Sequence, residues 1–414
     1  MPGHAKTPAR DGATRIVETL RRAGYTAFFA GGCVRDELLG RQPDDYDIAT
    51  DAVPERVMHL FPRAGEVGKS FGVVLVQAPG SRQMVEVATF RADGAYSDSR
   101  RPDSVRFSTP QEDAARRDFT VNALFLDPLT GHISDFVGGQ ADLAARVLRA
   151  VGNPDARLAE DHLRALRAVR FAAKLGFEIE PATARAIRQH AKDLKGVSRE
   201  RIGDEIERML QHPSRARAAR LLRELHLERP VLDAEFPAPL GHSLESLPIE
   251  MPFIGALAAW ALDLGWNPVA PDAASTRERL VATWRPALCL SNETRDGLAS
   301  TLGIMTSLLS AWPGLGVAAQ KRLAARREFA LSLTVLSTIS STVAETVEAR
   351  VRKLAGTPSG ISPPPLLTGD ELIRMGFPPG PAFRVILDSV YDAQLEDQVQ
   401  TLESARELAR ALGV

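Results

Sequence analysis

The amino-acid sequence predicts an α+β protein in which a mixed sheet with helices comes first and an all-helical region follows. Short apolar runs bounded by polar or turn-forming residues are typical of buried strands, and four of them occur early in the chain. They span residues 25–30, 71–77, 83–90 and 123–126. Beyond Arg157 the apolar residues recur with helical spacing, and the turns between segments are short. This change of pattern separates a sheet-containing region from a helical one.

The composition is that of an ordinary globular protein without an overall signal for nucleic-acid binding. The 414 residues are enough for two to four domains, and 44% of them are apolar and 25% charged. Because the formal net charge is −1, any RNA-binding surface must come from local clusters of basic residues. One such cluster lies in residues 157–226, which contain 16 Lys or Arg against 10 Asp or Glu.

We expect a soluble, cytoplasmic protein. The first 15 residues lack the apolar core of a signal peptide, and the longest apolar tract, residues 253–264, is too short to span a bilayer. The two cysteines, Cys33 and Cys289, are far apart in the sequence and follow no metal-ligand pattern. This use of cysteine fits a reduced compartment.

The first elements are predicted to be a helix, a strand, a tight turn, a short helix and a second strand. The apolar strand 25–30 is ended by Gly31 and Gly32, and a short amphipathic helix follows. After another turn we predict a strand that carries Asp45 and Asp47. Because the side-chain period of a strand is two, both carboxylates should share one face.

These residues have the chemistry of a phosphate and metal site. Without Cβ atoms, Gly31 and Gly32 allow backbone N–H groups to approach an anion, and Arg35 adds a positive charge one helical turn further on. Asp45 and Asp47 repel each other unless a cation lies between them. We expect Mg²⁺, which prefers hard oxygen ligands and bridges to nucleotide phosphates. Taken singly, a Gly-Gly pair is ordinarily a turn and an Asp-x-Asp pair is ordinarily solvated.

The ordered combination resembles a known family. GGCVRD at residues 31–36 followed by DYDIAT at residues 45–50 is similar to the nucleotidyltransferase signature of the polymerase β superfamily. In particular it resembles the class II tRNA nucleotidyltransferases, which are the CCA-adding enzymes, and their bacterial poly(A) polymerase relatives. The resemblance implies a polymerase β-like nucleotidyltransferase head, followed by a neck, body and tail that are all helical.

Two further segments of the head are interpreted through this resemblance. Glu86 lies in the apolar strand 83–90, and the resemblance implies that it completes a metal-binding trio with Asp45 and Asp47. The alternative is an edge-strand Glu that faces water. Residues 91–108 are predicted to be a loop, and they resemble the family's flexible loop that couples nucleotide selection to chemistry. An inert surface loop has the same composition.

The family's second motif is matched by RRDFTVNA, residues 116–123. The resemblance implies that Arg117 contacts the triphosphate and that Asp118 and Asn122 support the site. The alternative interpretation is that this Arg-Arg-Asp run lies at a solvent-exposed end of a helix. Residues 135–154, with a Gly-Gly turn and a helix, resemble the segment that connects the head to the neck.

The segment EDHLRALRAVRF, residues 160–171, is predicted to be a helix that carries Asp161, Arg164 and Arg167 three residues apart. Spacing alone favours a surface ion pair, which contributes little to stability. The segment also resembles the family's nucleotide-selecting motif. That resemblance implies further nucleotide or triphosphate contacts for Arg167 and Arg170.

The chemistry of the bases gives Asp161 and Arg164 a possible use. Cytosine and adenine both present an exocyclic amine beside an unprotonated ring nitrogen. A carboxylate can accept from the amine while a guanidinium donates to the ring nitrogen. Uracil and guanine reverse these donors and acceptors, so the wrong nucleotide would leave polar groups unpaired. The pair can therefore select C and A.

The resemblance implies four domains, which are a catalytic head at residues 1–152, a neck at 153–228, a body at 229–358 and a tail at 359–414. The neck is expected to end in a helix at residues 197–210, which resembles its last motif. We expect the body and tail to hold tRNA by its shape and its phosphates. They could instead serve as scaffold or as a dimer surface.

The sequence thus predicts a template-independent tRNA nucleotidyltransferase that uses CTP and ATP, with two Mg²⁺ ions held by Asp45, Asp47 and Glu86. An enzyme that adds only CC or only A, or a poly(A) polymerase, remains open. GKSFGVVLV, residues 68–76, resembles the CCA-type pattern better than the poly(A) type. The three carboxylates oppose a non-catalytic RNA-binding protein. The oligomeric state is not predicted.

Overall fold

The computed structural model describes residues 7–66, 72–79, 83–93 and 105–413. It divides into two compact units, one of residues up to Met209 with Arg220–Val231, and one of Leu210–Ala219 with the residues from Leu232 onward. The four-domain division stays a prediction.

The strands are β1 Ala27–Ala30, β2 Ile48–Thr50, β3 Ala64–Glu66, β4 Val73–Gln77, β5 Met84–Thr89, β6 Arg91–Asp93, β7 Val105–Phe107, β8 Leu124–Leu126, β9 Ile133–Asp135, β10 Val147–Leu148 and β11 Glu178–Ile179. The helices are α1 Pro8–Arg22, α2 Gly32–Leu38, α3 Pro54–Leu60, α4 Pro110–Arg116, α5 Gly139–Ala145, α6 Pro154–Glu160, α7 Arg164–Leu175, α8 Pro181–His190, α9 Arg199–Gln211, α10 Arg215–Glu224, α11 Glu228–Leu232, α12 Ser243–Ser246, α13 Phe253–Asp263, α14 Ala273–Ala287, α15 Asn292–Ser310, α16 Val317–Ala324, α17 Phe329–Ser337, α18 Ser341–Ala355, α19 Gly369–Arg374, α20 Pro381–Leu395 and α21 Leu402–Leu412.

A seven-stranded mixed sheet organises the first unit, which confirms the predicted fold class. Its strand order is β3-β4-β5-β2-β1-β8-β9. Neighbouring strands are antiparallel except β2 and β5, which run parallel with Ile48 beside Val87. The chain that enters β2 therefore lies beside the middle of β5, although about 40 residues separate them in the sequence.

The side chains of β1 show how the apolar residues divide between the two faces of this sheet. Phe28 packs on one face, where its ring centroid lies 6.4 Å from that of Phe90 and 6.2 Å from that of Phe125. Phe29 points to the other face, where its ring centroid lies 4.9 Å from that of Tyr46. This alternation follows from the strand period of two. It explains why most of the run from 25 to 30 is apolar, since both faces are packed.

Two predictions about local structure in the head are wrong. Asp45 and Asp47 do not lie in a strand, because β2 begins at Ile48 and residues 41–47 are irregular. The segment 91–108 is not wholly a loop, because its two ends form β6 and β7, which pair antiparallel. Residues 94–104 lie outside the described residues. So do Phe71, at the start of a predicted strand, and Gly80, in the predicted turn.

The helical part of the first unit departs from its prediction at one place that matters for the site. α6 ends at Glu160 and α7 begins at Arg164, so Asp161 does not share a helix with Arg164 and Arg167. Asp161 has an extended backbone, with φ −152° and ψ 102°. The predicted helix at 197–210 is present as α9. The short strand β11 pairs in parallel with β10 and interrupts the otherwise helical pattern.

The second unit is built from helices in the part of the chain that is described. Residues of α15 to α18 form one apolar core around Leu336, and residues of α19 to α21 form another around Leu372. Lys321 is buried, and its Nζ donates to Thr357 Oγ1, Ser359 Oγ and the Leu395 carbonyl at 2.6, 2.7 and 2.8 Å. Within the described ranges, no helix is both long and apolar enough to cross a bilayer.

Candidate active site

Three carboxylates come together where the sequence predicts a metal-binding trio. Because Ile48 pairs with Val87 in the parallel register of β2 and β5, the residues that precede them, Asp47 and Glu86, are neighbours. Asp45 and Glu86 are both close enough to act electrostatically on Asp47. Asp45 and Glu86 are exposed and Asp47 is half-buried, so the group opens to solvent. β5 is an interior strand, so the alternative of an edge-strand Glu86 is wrong.

Tyr46 anchors the segment that carries the two aspartates. Its side chain is buried, its ring packs on Phe29, and its hydroxyl donates to Glu37 Oε1 at 2.8 Å. Arg10 Nε donates to the same oxygen at 2.7 Å. Tyr46 is thus fixed against the protein interior, whereas its neighbours Asp45 and Asp47 stay accessible to solvent and close enough to interact. An alternating exposed, buried and half-buried pattern results.

The electrostatics of the trio favour a bound cation. Burial, followed by the negative charges of Asp45 and Glu86, raises the pKa of Asp47 to about 6, while Arg117 acts in the opposite direction. An unfavourable field of this kind is relieved when a cation binds among the carboxylates. Three hard oxygen donors that open to solvent fit a divalent ion of the Mg²⁺ type, which keeps several water ligands.

Gly31 makes room for an arginine. Gly31 has φ +79° and ψ −127°, a backbone conformation that residues with a side chain rarely adopt. A Cβ atom at this position would also lie 3.0 Å from Nη1 of Arg117. The Gly31 N–H donates to the Leu124 carbonyl at 3.1 Å, so it is not one of the groups available to an anion. Gly32 begins α2, whose first turn carries N–H groups without intrahelical acceptors.

Arg35 is buried within the protein rather than displayed at the surface. Its side chain is 5% exposed. Nε and Nη2 donate to the two oxygens of Asp36 at 2.8 and 2.9 Å, and Nη1 donates to Asn122 Oδ1 at 2.6 Å. Arg35 and Asn122 therefore link α2 to the short 3-10 turn before β8.

Asp113 holds the two arginines of the second motif, and sequence reasoning missed it. Its buried carboxylate accepts from Arg116 Nη2 at 2.6 Å and from Arg117 Nη2 at 3.0 Å. Burial alone would raise the pKa of Asp113, but the charges of Arg117 and Arg116 hold it below its usual value. Arg117 Nη1 also donates to the Asn122 carbonyl at 3.1 Å. The signal for Asp113 was its spacing of three and four residues from the arginines in α4.

Asp118 and Arg167 form a partly buried ion pair. Oδ2 of Asp118 accepts from Arg167 Nη2 at 2.6 Å and Nε at 2.9 Å, and Oδ1 accepts from the Phe119 N–H and from Asn122 Nδ2 at 2.8 and 3.2 Å. Burial would raise the pKa of Asp118, but Arg167 and these hydrogen bonds lower it. The pair joins the second motif to α7, and it brings predicted residues Asp118, Asn122 and Arg167 into one network.

Arg170 belongs to a second ion pair on the same helix. Its Nε donates at 2.6 Å to Glu205 of α9, which is buried. The guanidinium groups of Arg35, Arg167 and Arg170 all lie over the Phe171 ring, with their carbon atoms 5.4, 5.4 and 4.3 Å from its centroid. Such contacts orient arginine side chains in a polar environment. Arg167 and Arg170 are thus held in place by protein partners.

Asp161 and Arg164 each have a partner other than the predicted one. Asp161 Oδ2 accepts from Arg201 Nη2 at 2.7 Å, and Oδ1 accepts from the Leu163 N–H at 3.1 Å. Arg164 Nη1 donates to Glu160 Oε2 and to the Arg157 carbonyl, both at 2.6 Å. The structure does not form the predicted surface ion pair. Arg201 was missed by sequence reasoning, and only its place in the last neck motif could have pointed to it.

Another possible metal-binding group lies beside Asp161. His162, His190 and Asp193 each offer a ligand atom, and these atoms lie within 4.8 Å of one another. This group could not be predicted from the sequence, because its members are spread over 32 residues without a motif.

Comparison with known proteins identifies two matching family models. Residues 27–149 match the family described as Poly A polymerase head domain, and residues 176–236 match the family described as Probable RNA and SrmB-binding site of polymerase A. The first match covers the sheet, the carboxylate trio and the second motif. The second covers α8 to α11.

Curated relatives and a solved structure extend the comparison over the whole chain. A CCA-adding enzyme of Geobacillus stearothermophilus is 47% identical over 216 residues, 52% of this chain and 53% of the relative. The alignment with that relative thus spans about half its length. A CCA-adding enzyme of Limosilactobacillus fermentum is 34% identical over 96% of this chain and 97% of its own. The crystal structure of the Bacillus stearothermophilus CCA-adding enzyme in complex with CTP is 30% identical, covers 98% of both chains and has a TM-score of 0.77.

The sequence and the fold agree with these relatives along nearly the whole chain. Nucleotidyltransferases of this family generally use divalent metal ions. The protein belongs to the family of CCA-adding enzymes.

Proposed function

We propose that the protein is a template-independent tRNA nucleotidyltransferase that adds C and A from CTP and ATP to the tRNA 3′ end. The observation that carries the proposal is the solvent-open trio of Asp45, Asp47 and Glu86 beside Arg117 in a member of this family. The trio supplies ligands for a divalent ion, and the arginine supplies positive charge for a phosphate. Both are required for nucleotidyl transfer.

Asp45, Asp47 and Glu86 would hold two Mg²⁺ ions. When bound, these ions lower the pKa of an attacking hydroxyl and neutralise the charge of the leaving pyrophosphate. The contribution of the protein is the arrangement of the three carboxylates. Tyr46 and the β2–β5 register fix them in advance, so that little reorganisation is needed when the tRNA 3′ hydroxyl and the α-phosphate come together.

Arg117 is the proposed triphosphate contact. Its guanidinium lies next to Gly31 and is oriented by Asp113 and the Asn122 carbonyl, which leaves its charge facing the same region as the carboxylate trio. The N–H groups at the start of α2, at Gly32, would approach the phosphates from the other side. Gly31 would act by leaving space for Arg117.

Arg35 has a different proposed part. Its donors are directed at Asp36 and Asn122, so we propose that it supports the nucleotide site by fixing α2 and the second motif. Arg167 and Arg170, through Asp118 and Glu205, would similarly fix α7. Direct contact between these arginines and the nucleotide stays a prediction.

Asp161 and Arg164 are the proposed base-reading pair. A carboxylate has about four lone-pair positions, so Asp161 can accept from a base amine while it remains bonded to Arg201 and the Leu163 N–H. Arg164 Nη2 has only a long contact of 3.4 Å with the Arg116 carbonyl, which leaves it available to donate to a ring nitrogen. Cytosine and adenine satisfy both groups, whereas uracil and guanine do not.

The proposed polynucleotide partner is tRNA. Helices α6 to α10 lie in the stretch with an excess of basic residues, and α8 to α10 also lie within the match to the family described as Probable RNA and SrmB-binding site of polymerase A. Recognition of duplex RNA relies on phosphate and shape contacts, which suits a helical surface of this kind. Both cysteines are free thiols, which agrees with the reduced cytoplasmic location that we propose.

The test is extension of three tRNA transcripts that end at the discriminator base, at C or at CC. Each is incubated with Mg²⁺ and with CTP, ATP or both, and products are resolved one nucleotide at a time. We expect completion of CCA on all three. Products that stop at CC, or extension of only the CC transcript by ATP, would replace the proposal by a split activity. Long A tails would indicate a poly(A) polymerase, and no extension would favour an RNA-binding protein.

A further inference from the structure

The group of His162, His190 and Asp193 brings three chain segments together. His162 lies in the break between α6 and α7, His190 is the last residue of α8, and Asp193 follows in a 3-10 turn. None of these residues has a part in the proposed nucleotidyl transfer. The group also differs in donor type from the carboxylate trio, because two of its three ligands are imidazoles.

The contacts within this group leave ligand capacity unused. His190 Nδ1 lies 3.0 Å from Asp193 Oδ2, and the His162 and His190 rings stack with their centroids 6.1 Å apart. His162 Nδ1 is buried and has no hydrogen-bond partner among the described residues. His190 Nε2 is likewise buried, and its 3.3 Å approach to Asp155 lacks hydrogen-bond geometry. A buried polar atom without a partner costs free energy, and a ligand would remove that cost.

We propose that His162, His190 and Asp193 bind a divalent transition-metal ion, with Zn²⁺ as the representative, at a site separate from the carboxylate trio. Imidazole nitrogen with one carboxylate oxygen is a donor set that Zn²⁺ favours, whereas Mg²⁺ prefers oxygen ligands alone. A water molecule would complete four-coordination.

The observed spacing is close to what such an ion requires. With bonds of about 2.0–2.1 Å, two ligand atoms of a tetrahedral Zn²⁺ lie roughly 3.3–3.5 Å apart. His190 Nδ1 and Asp193 Oδ2, at 3.0 Å, are already near this separation. The ligand atoms of all three residues lie within 4.8 Å of one another. Side-chain rotations that move these atoms by about 1 Å would bring them to the separation that the ion requires.

An ion at this position would restrain the break between α6 and α7. His162 follows Asp161 directly, the Leu163 N–H donates to Asp161 Oδ1, and the Ala165 N–H donates to the His162 carbonyl at 3.1 Å. A bond from His162 to a metal held by α8 and the following turn would limit the opening of these hydrogen bonds. Binding to the folded state alone also stabilises it by mass action.

The test is binding of Zn²⁺ to the full-length protein after chelator treatment, in excess Mg²⁺ to compete at the carboxylate trio. Equilibrium dialysis counts the ions, and visible absorption of bound Co²⁺ reports nitrogen ligation in a tetrahedral site. We expect one ion per chain and a higher Tm with Zn²⁺. His162→Gln and Asp193→Asn should each weaken binding at least about tenfold, since each removes a direct ligand.

Two matched controls separate this site from other zinc ligands. His242→Gln removes a histidine that is 84% exposed and 3.6 Å from Glu245, and it should bind Zn²⁺ like the parent. Asp45→Ala alters the carboxylate trio and should also retain the ion. Absence of binding by the parent, or equal affinity in His162→Gln and Asp193→Asn, would overturn the proposal. These assays contain no nucleotide or tRNA, so they are independent of the proposed activity.

Hydrogen exchange gives a measurement that does not depend on a variant. In the parent protein, Zn²⁺ should slow exchange of the Leu163 and Ala165 amides, because both donate within the restrained break. Exchange that is unchanged at saturating Zn²⁺ would contradict ligation by His162. Slower exchange confined to the residues around Asp45 and Glu86 would assign the ion to the carboxylate trio instead, and would also overturn the proposal.

Discussion

The carboxylate trio and the carboxylates of the neighbouring ion pairs contain the same chemical group in opposite environments. Asp47 lies near two other negative charges, and its pKa is raised to about 6 by burial and by those charges. Asp113 and Asp118 are at least as buried, yet the pKa of each is lowered, because arginines outweigh the effect of burial. Among the described residues, Arg117 is the group that opposes the repulsion at Asp47, and its guanidinium is shared with Asp113.

The difference shows where each group finds its counter-charge. Asp113 receives its counter-charge from Arg117 at the end of α4, and Asp118 receives its counter-charge from Arg167 of α7. These two carboxylates therefore stabilise the protein and orient the two arginines. In the part of the chain that the structure describes, the trio keeps a repulsion that raises the pKa of Asp47, and a cation from solution would relieve it. A region that is electrostatically costly when empty is suited to bind a cation, and activity is gained at the expense of stability.

The largest expected effect comes from Asp47→Asn. Nucleotidyl transfer should fall about a thousandfold or more, because the variant loses a proposed metal ligand, whose contribution in the transition state would be several kcal/mol. The free energy of unfolding of the metal-free protein should rise at pH 7.5. The pKa of Asp47 is about 6 against an ordinary 3.8, and this difference corresponds to at most about 3 kcal/mol. Single-turnover assays and denaturant unfolding in chelator measure the two effects.

The pH dependence of this gain has a definite sign. A carboxyl whose pKa is raised in the folded state costs nothing below the unfolded pKa, costs more as the pH rises from the unfolded to the folded pKa, and costs a constant amount above that. The advantage of Asp47→Asn should therefore be full above pH 6 and should vanish towards pH 4. Asp44→Asn, which changes an exposed carboxylate three residues away, is the matched control and should alter neither property. A metal-free Asp47→Asn protein that is less stable than the parent would contradict the comparison.

Removal of a compensated carboxylate should have the opposite effect on stability. We expect Asp118→Asn to lower the free energy of unfolding by about 2–3 kcal/mol, because it leaves Arg167 without its counter-charge. The loss is smaller than for a fully enclosed pair, since about a third of the Arg167 side chain is exposed. Urea unfolding at pH 7.5 provides the measurement.

The sign of the pH effect again tests the explanation. Because the pKa of Asp118 is lowered, its contribution is present above the ordinary carboxyl pKa and is lost as the pH falls through the folded value. Parent and Asp118→Asn should therefore converge in acid. Glu112→Gln breaks the exposed ion pair with Arg106 and should change stability little. Equal losses in the two variants would show that enclosure is not what distinguishes Asp118.

The sequence predicted most of what depends on local order and little of what depends on distant partners. The motif order pointed to Asp45 and Asp47 although the strand predicted for them was wrong, and Glu86 joined them only through the family resemblance; Tyr46 and the β2–β5 register are what bring the three together. The break at Asp161 could not be predicted, since apolar periodicity continues through it and the helix is ended by the Asp161 side chain accepting the Leu163 N–H. Likewise, Arg35 is bonded to Asn122, 87 residues away, and only the fold brings them together.

The smallest expected effect concerns the base-reading pair, and it separates Asp161 from the arginine that holds it. Asp161→Ala should reduce the preference for CTP over UTP about tenfold, because one discriminating hydrogen bond is lost. Arg201→Met keeps the carboxylate but removes its 2.7 Å contact, so preference should fall only a few-fold through looser orientation. The ratio of kcat/KM for the two nucleotides on a transcript that ends at the discriminator base is the readout.

Arg208→Met, a mostly exposed position on the same helix, is the control. An unchanged ratio in Asp161→Ala would remove Asp161 from base selection, and a larger effect in Arg201→Met than in Asp161→Ala would make Arg201 the reader.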